Sequence, residues 1–240
     1  KVRQILTALG FCERINYGLI PQKSAELFKS HGPFVEVDNP LSEDQSLLRP
    51  SLLPELLRNV RTNLSYKKSD VRLFEIGTAF HRSNGAVSES MKLAGVACGS
   101  SHSDTWQDKN KGRALDFYWM MEVVKQIQAR TGARDLAFTS CTEDIFHPNF
   151  CLSMTNASGQ SVGFFGLIHP LAAKPLDLPD TLVFFELDIA GLCRSISGGK
   201  KLHPVLRTPS IERDCAVWVA SDIPWGKIES AVRETGGELL

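Results

Sequence analysis

VEVDNPLSEDQSLLRPSLLPELLRNVRTNLSYKKSDVRLFEIGTAF, residues Val35 to Phe80, reads as strand, polar loop, amphipathic helix, short basic turn and strand. Pro40 ends the first strand, because it has no backbone N–H to give a ladder. Ser51 is placed to cap the helix, and Pro54 falls in its first turn, where a missing N–H costs nothing. Leu52, Leu53, Leu56, Leu57, Val60 and Leu64 then share one helical face. From Val71 to Phe80 the pattern alternates at period two. Arg72 and Glu75, three apart on that strand, point to opposite faces and are expected to pair with neighbouring elements.

The flanks carry the same kind of signal. Lys1 to Leu9 puts Val2, Ile5, Leu6 and Leu9 on one helical face, with Gly10 just past the end. Phe11 to Ile20 is expected as a strand with Phe11, Ile15 and Tyr17 on one side, and Pro21 to Ser30 as a short helix. Phe80 to Ala97 reads as a hairpin turning at Ser83-Asn84-Gly85. A polar loop, Gly99 to Arg113, leads to a helix from Ala114 to Thr131, with Phe117, Met120, Met121, Val124 and Ile127 inward. Short strands follow at Leu136 to Thr139, Phe150 to Thr155, Ser161 to Ile168 and Thr181 to Ile189, with a short helix at Leu171 to Lys174. After Ser197-Gly198-Gly199-Lys200-Lys201, which reads as a linker, come a strand from Arg213 to Ala220 and a helix from Pro224 to Thr235. The fold class is α+β: an antiparallel sheet flanked by helices.

Composition narrows the function. The 240 residues suffice for one large domain plus a small one, and 42% hydrophobic residues support a core. Lys plus Arg equals Asp plus Glu at 27 each, so any nucleic-acid contact must come from a local patch. No apolar run approaches the ~20 residues of a membrane span. Lys1 to Gly10 lacks the apolar core of a secretory leader. The six cysteines contain no Cys-x-x-Cys pair and lie in apolar neighbourhoods, which predicts reduced, buried thiols. Cys141, His147 and Cys151 fit no usual zinc spacing, and no metal site is expected.

The strings themselves say more. NPLSEDQSLLRPSLLPELL, then RLFEIG at Arg72 to Gly77, GFFGLIHP at Gly163 to Pro170 and FFELDIAGL at Phe184 to Leu192 resemble the beta subunit of bacterial phenylalanyl-tRNA synthetase. Gly10, Phe11 and Glu13 are similar to the first class II synthetase motif, a subunit-interface element in that superfamily. The resemblance covers essentially the whole chain. It implies residues 1–196 as a class II synthetase-like, non-catalytic domain and 197–207 as a linker. Residues 208–240 would be the start of a ferredoxin-like anticodon-binding domain, so that the chain is the central-to-late part of a longer subunit.

That resemblance also says where catalysis would sit. Adenylation puts negative charge on transferring phosphates, and class II enzymes hold it with two arginines and magnesium. Arg72-Leu73-Phe74-Glu75 carries the charges of the first arginine motif in shifted order. The late motif should end in arginine, but Glu186 and Asp188 stand there, and acidic groups repel phosphate. The expectation is therefore no catalytic, cofactor or metal residue in this chain, with Arg72 and Glu75 as degenerate motif positions.

The implied whole is a phenylalanine-tRNA ligase of two alpha and two beta chains in the cytoplasm. Its alpha subunit would catalyse the reaction and bind ATP and magnesium. Lys200, Lys201, His203, Arg207 and Arg213 are weak candidates for phosphate contacts with its tRNA. Two rivals stay open: a synthetase-like small-molecule binding or regulatory domain, and a divergent single-chain class II ligase using Arg82 or Arg194 as its second clamp.

Overall fold

A computed structural model describes residues 1–26, 28, 33–83, 85–101, 112–133, 136–141, 145–196 and 211–237. The chain divides into two compact units between residues 200 and 201.

The first unit is built on a seven-stranded sheet in the order β1-β5-β6-β10-β9-β8-β7. These strands are β1 Cys12–Glu13, β5 Val71–Ser83, β6 Ala86–Cys98, β7 Ala137–Ser140, β8 Phe146–Thr155, β9 Ser161–Ile168 and β10 Val183–Asp188. A smaller sheet holds β2 Leu19–Ile20, β4 Leu47–Leu48 and β3 Val35–Glu36 in that order. The large sheet is antiparallel except at one edge, where β1 runs parallel to β5. The expected α+β class therefore holds, with a mixed rather than purely antiparallel sheet.

Helices cover both faces, because the central strands are apolar on both. On one side α1 Val2–Ala8 and α4 Phe117–Thr131 pack over Phe74, Leu93, Phe165, Phe185 and Leu187. On the other, α3 Leu53–Ser65 lays Leu53, Leu56, Leu57 and Val60 on Leu73, Val96 and Phe184. Asp116 starts α4 by accepting the Trp119 amide at 2.8 Å, and Gly132 ends it at φ 91°. The short helices are α2 Gln22–Ala25, α5 Pro170–Ala173 and α6 Ile189–Arg194.

Two glycines of the GFFGLIHP string have a packing reason. A side chain at Gly163 would meet the Glu186 carbonyl and, at 2.7 Å, the Leu187 Cα of β10. One at Gly166 would enter the Phe146 ring and the Phe150 carbonyl. The first lets β9 pair closely with β10, the second with the bulged β8.

Several expectations need correction. Phe11 to Ile20 is two two-residue strands, and Ile15 and Tyr17 are exposed at 94% and 76%. The 13-residue β5 and β6 make a longer hairpin than Phe80 to Ala97. The cysteines are not all reduced and buried. Cys141 and Cys151 form a disulfide, and Cys12, Cys193 and Cys215 are exposed. The register pairs Ser140 with Leu152, so the next rung puts the two cysteines opposite, with Cα atoms 5.6 Å apart.

The second unit contains the expected helix, α7 Trp225–Gly236, but its N-cap is Pro224, without a side-chain cap bond. Residues 211–220 form no strand. A strand is defined by its ladder, and among the described residues nothing pairs with this segment. A ferredoxin-like start is therefore not seen. The linker Ser197 to Lys201 lies outside the described residues.

Two stability outcomes follow. Gly163→Ala should cost about 3 kcal/mol, because the obstacle is backbone that cannot step aside. Urea unfolding checks it; a loss below about 1 kcal/mol would contradict the close β9–β10 approach. Glu55, in the first turn of α3, is buried, and burial raises its pKa against the opposing pull of Arg58. A carboxyl whose folded pKa is raised weakens the fold as pH rises from the ordinary value of 4.5 through the raised one. Glu55→Gln should therefore stabilise at neutral pH, and thermal melts should show the gain vanish below pH 4.5. A gain that persists in acid would contradict this origin.

Candidate functional site

Residues 49–52, Arg-Pro-Ser-Leu, enter α3 from β4 and collect the buried polar groups of the sheet. Arg49 Nη1 donates to Glu75 Oε1 on β5 at 2.8 Å, and both side chains are nearly fully buried. Its Nε donates to the Thr78 carbonyl at 2.9 Å. Its backbone joins in: the amide donates to the Gly18 carbonyl, and the carbonyl accepts from the Phe80 amide. Glu75 is completed by Asn16, whose amide and Nδ2 donate to its two oxygens at 3.2 and 2.7 Å. Asn59 of α3 donates to Asn16 Oδ1 at 2.7 Å. Gly77 is needed because a Cβ there would meet the Arg49 guanidinium.

Glu186 on the central strand β10 makes the second junction. Its Oε2 accepts from Ser51 Oγ at 2.6 Å and from the Leu52 amide at 2.9 Å. Ser51 Oγ in turn accepts from the Leu53 amide at 3.1 Å. The carboxylate thus sits at the amide-rich start of α3, where orphan N–H groups and the helix dipole favour negative charge. Ser51 serves as the cap the sequence suggested, though the N-cap position itself is Leu52.

Arg72 lies on the opposite face of β5. Its Nη2 donates to the Ser100 and Ser101 carbonyls at 2.8 and 2.9 Å, and its guanidinium stands 5.7 Å from the Trp119 ring centre. Gly10, after α1, stands at φ 82°, which favours glycine, and a Cβ there would also press on Arg72 Nη1. Asp188 accepts from the Gly191 amide as the N-cap of α6 and pairs with Lys92 at 3.4 Å.

The structure therefore separates Arg72 from Glu75, as their spacing required, and gives each an internal partner. It does not bring either expected second clamp to Arg72: Arg82 lies near the β5–β6 turn and Arg194 in the last turn of α6, both exposed. Arg72, Glu75, Glu186 and Asp188, the residues expected at the class II motifs, do not fit ATP and magnesium. The arginine is committed to backbone carbonyls, and the carboxylates to Arg49, Ser51 and a helix cap. Of the phosphate-contact candidates, Lys200, Lys201, His203 and Arg207 lie outside the described residues, and Arg213 is exposed. His169 accepts the Leu171 amide on Nδ1 and caps α5. Among the described residues, no three His, Cys, Asp or Glu side chains gather as a metal site. No helix there is long and apolar enough to cross a membrane.

Away from the sheet, Lys23, Glu43, Asp44, Pro54, Arg58 and Arg61 help line an open groove of about 1020 Å³. The sequence reading missed Arg49 and gave Glu186 only a negative meaning. The available signal was Arg49 itself, an arginine between leucines and a proline immediately before a helix.

Removing one partner of a buried pair strands the other charge. Arg49→Met should therefore cost about 3–5 kcal/mol. Adding Glu75→Gln should return part of that loss, since the stranded group is then neutral. Urea unfolding of both variants checks this. A double variant less stable than the single would contradict the pairing.

The geometry has relatives. Residues 1–189 match the family described as "Phenylalanyl tRNA synthetase beta chain CLM domain". Over the whole chain, similarity extends to proteins named phenylalanine–tRNA ligase beta subunit. That of Listeria monocytogenes is 31% identical, that of Coxiella burnetii 30% and that of Pseudomonas savastanoi 32%. The chain spans about 30% of the length of these curated relatives. A pyrrolysyl-tRNA synthetase structure from Desulfitobacterium hafniense superposes with a TM-score of 0.61 over 80% of this chain and 63% of its own, at 13% identity, which shows the fold alone. The seven-stranded sheet with its flanking helices shares the fold of that synthetase, and the chain belongs to the phenylalanyl-tRNA synthetase beta chain family.

Proposed function

We propose that residues 1–196 form a non-catalytic scaffold of a phenylalanine–tRNA ligase. The observation that carries this reading is the use of Arg72, Glu75 and Glu186 as internal struts. A phosphate clamp needs cationic groups preorganised toward an open site. Here the cation at the motif position holds a loop, and the carboxylates hold a helix. On this reading a separate alpha subunit binds ATP, magnesium and phenylalanine and catalyses charging, in a cytoplasmic assembly of two alpha and two beta chains. Residues 197–207 are a linker, and 208–240 belong to a tRNA-binding module. Lys200, Lys201, Arg207 and Arg213 are the residues of this chain assigned to phosphate contact.

A second reading, a small-molecule binding domain, has the groove beside Arg58 and Arg61 in its favour. Its mixed charges, Lys23 against Glu43 and Asp44, select no ligand class, so the scaffold reading is preferred.

The test is phenylalanine-dependent ATP–pyrophosphate exchange. The chain alone should show background only. Mixed with the alpha subunit of a relative, it should co-elute with that subunit in size-exclusion chromatography. Exchange by the chain alone that disappears on Arg72→Ala would overturn the scaffold reading and favour the single-chain ligase.

A further inference from the structure

We infer that Cys141 and Cys151 form a reversible thiol–disulfide clasp that sets how firmly the edge strand β7 is held on the sheet. β7 has four residues, pairs among the described residues with β8 alone and ends the seven-strand order. Its ladder stops at Ser140–Leu152, and the disulfide adds a covalent rung at the next position. The Cys141 amide also donates to the Cys151 carbonyl, at 3.4 Å. On its other side, β8 slips in register against β9 between Phe146 and Cys151, so β8 itself is irregular beside the clasp.

The two sulfurs are unequal. Cys151 is 4% exposed and packs in the core beneath α3, whereas Cys141 is half-buried at the sheet margin. An attacking thiolate therefore reaches the Cys141 sulfur first. With a dithiol as reductant, its thiolate bonds to Cys141 Sγ, the S–S bond breaks, and Cys151 leaves as a thiolate. The second thiol of the reductant then attacks the mixed disulfide. It closes the reductant's own disulfide and releases Cys141. Two electrons and two protons pass from the dithiol to the cysteine pair, and no further reactant is needed.

The consequence is local. Phe138 of β7 packs edge-on against Phe165, so the strand keeps one apolar anchor after reduction, while its far end loses the covalent one. The Ala137–Ser140 amides should then exchange through opening of the strand, which the closed loop of 10 residues otherwise restrains. The central pairing of β6 with β10 carries no such link and should not respond.

Two measurements on the whole chain decide this. Alkylation of air-oxidised protein after denaturation should label Cys12, Cys98, Cys193 and Cys215 only, and all six cysteines after dithiothreitol. Hydrogen exchange on the folded protein should then show Ala137–Ser140 exchanging about tenfold faster or more after reduction, with β6 and β10 unchanged. The Cys141→Ser, Cys151→Ser double variant in oxidising buffer should match the reduced protein. Six labelled cysteines without reductant, or a β7 whose exchange ignores reduction, would overturn the clasp.

Discussion

A carboxylate buried on the central strand of the sheet meets the start of the helix that covers it. Glu186 on β10 holds Ser51 Oγ and the Leu52 amide, and so fixes where α3 begins. A few residues earlier, Arg49 is pinned to Glu75 on β5. These two junctions set both the height and the rotation of α3 over the sheet. The leucines then need only fill the space beneath it, which burial favours but does not orient. Buried charge is tolerable here because Glu75 is paired with Arg49 and hydrogen-bonded by Asn16, while Glu186 accepts from a hydroxyl and an amide at the start of a helix. Gly77 completes the arrangement by leaving room for the guanidinium.

This gives the family strings a physical content. The arginine of SLLRPSLLP, the glutamate and glycine of RLFEIG and the glutamate of FFELD are one polar framework, written in three separated stretches. The glycines of GFFGLIHP admit the neighbouring strands. The sheet has the fold of a synthetase, while Arg72, Glu75 and Glu186 on it serve packing. A shared fold does not fix a shared chemistry. On the proposed reading, the carboxylates that would repel a nucleotide's phosphates serve the fold instead: Glu186 seats α3 and Asp188 caps α6.

Much of this was legible in the chain. Leucines at helical spacing placed α3, and strict alternation placed β5, because both periods are set by backbone geometry alone. The spacing of Arg72 and Glu75 correctly put them on opposite faces. What escaped were features that depend on contacts distant in sequence. Arg49 reads locally as a loop arginine and becomes buried only because Glu75, 26 positions later, faces it. Cys141 and Cys151 look like two apolar-context thiols until the β7–β8 register sets them opposite. Ile15 and Tyr17 alternate as in a strand, yet Asn16 between them is drawn to Glu75, and the ladder is interrupted there. Residues 211–220 have a strand's composition but no partner among the described residues.

The central claim is that Arg72, Glu75 and Glu186 are structural. It is tested most directly by titrating magnesium-ATP into the purified chain in a calorimeter. The account predicts no saturable heat for the wild type and none for Arg72→Ala. Saturable binding of magnesium-ATP by the wild type that Arg72→Ala removes would contradict it, since Arg72 would then face a nucleotide rather than the Ser100 and Ser101 carbonyls.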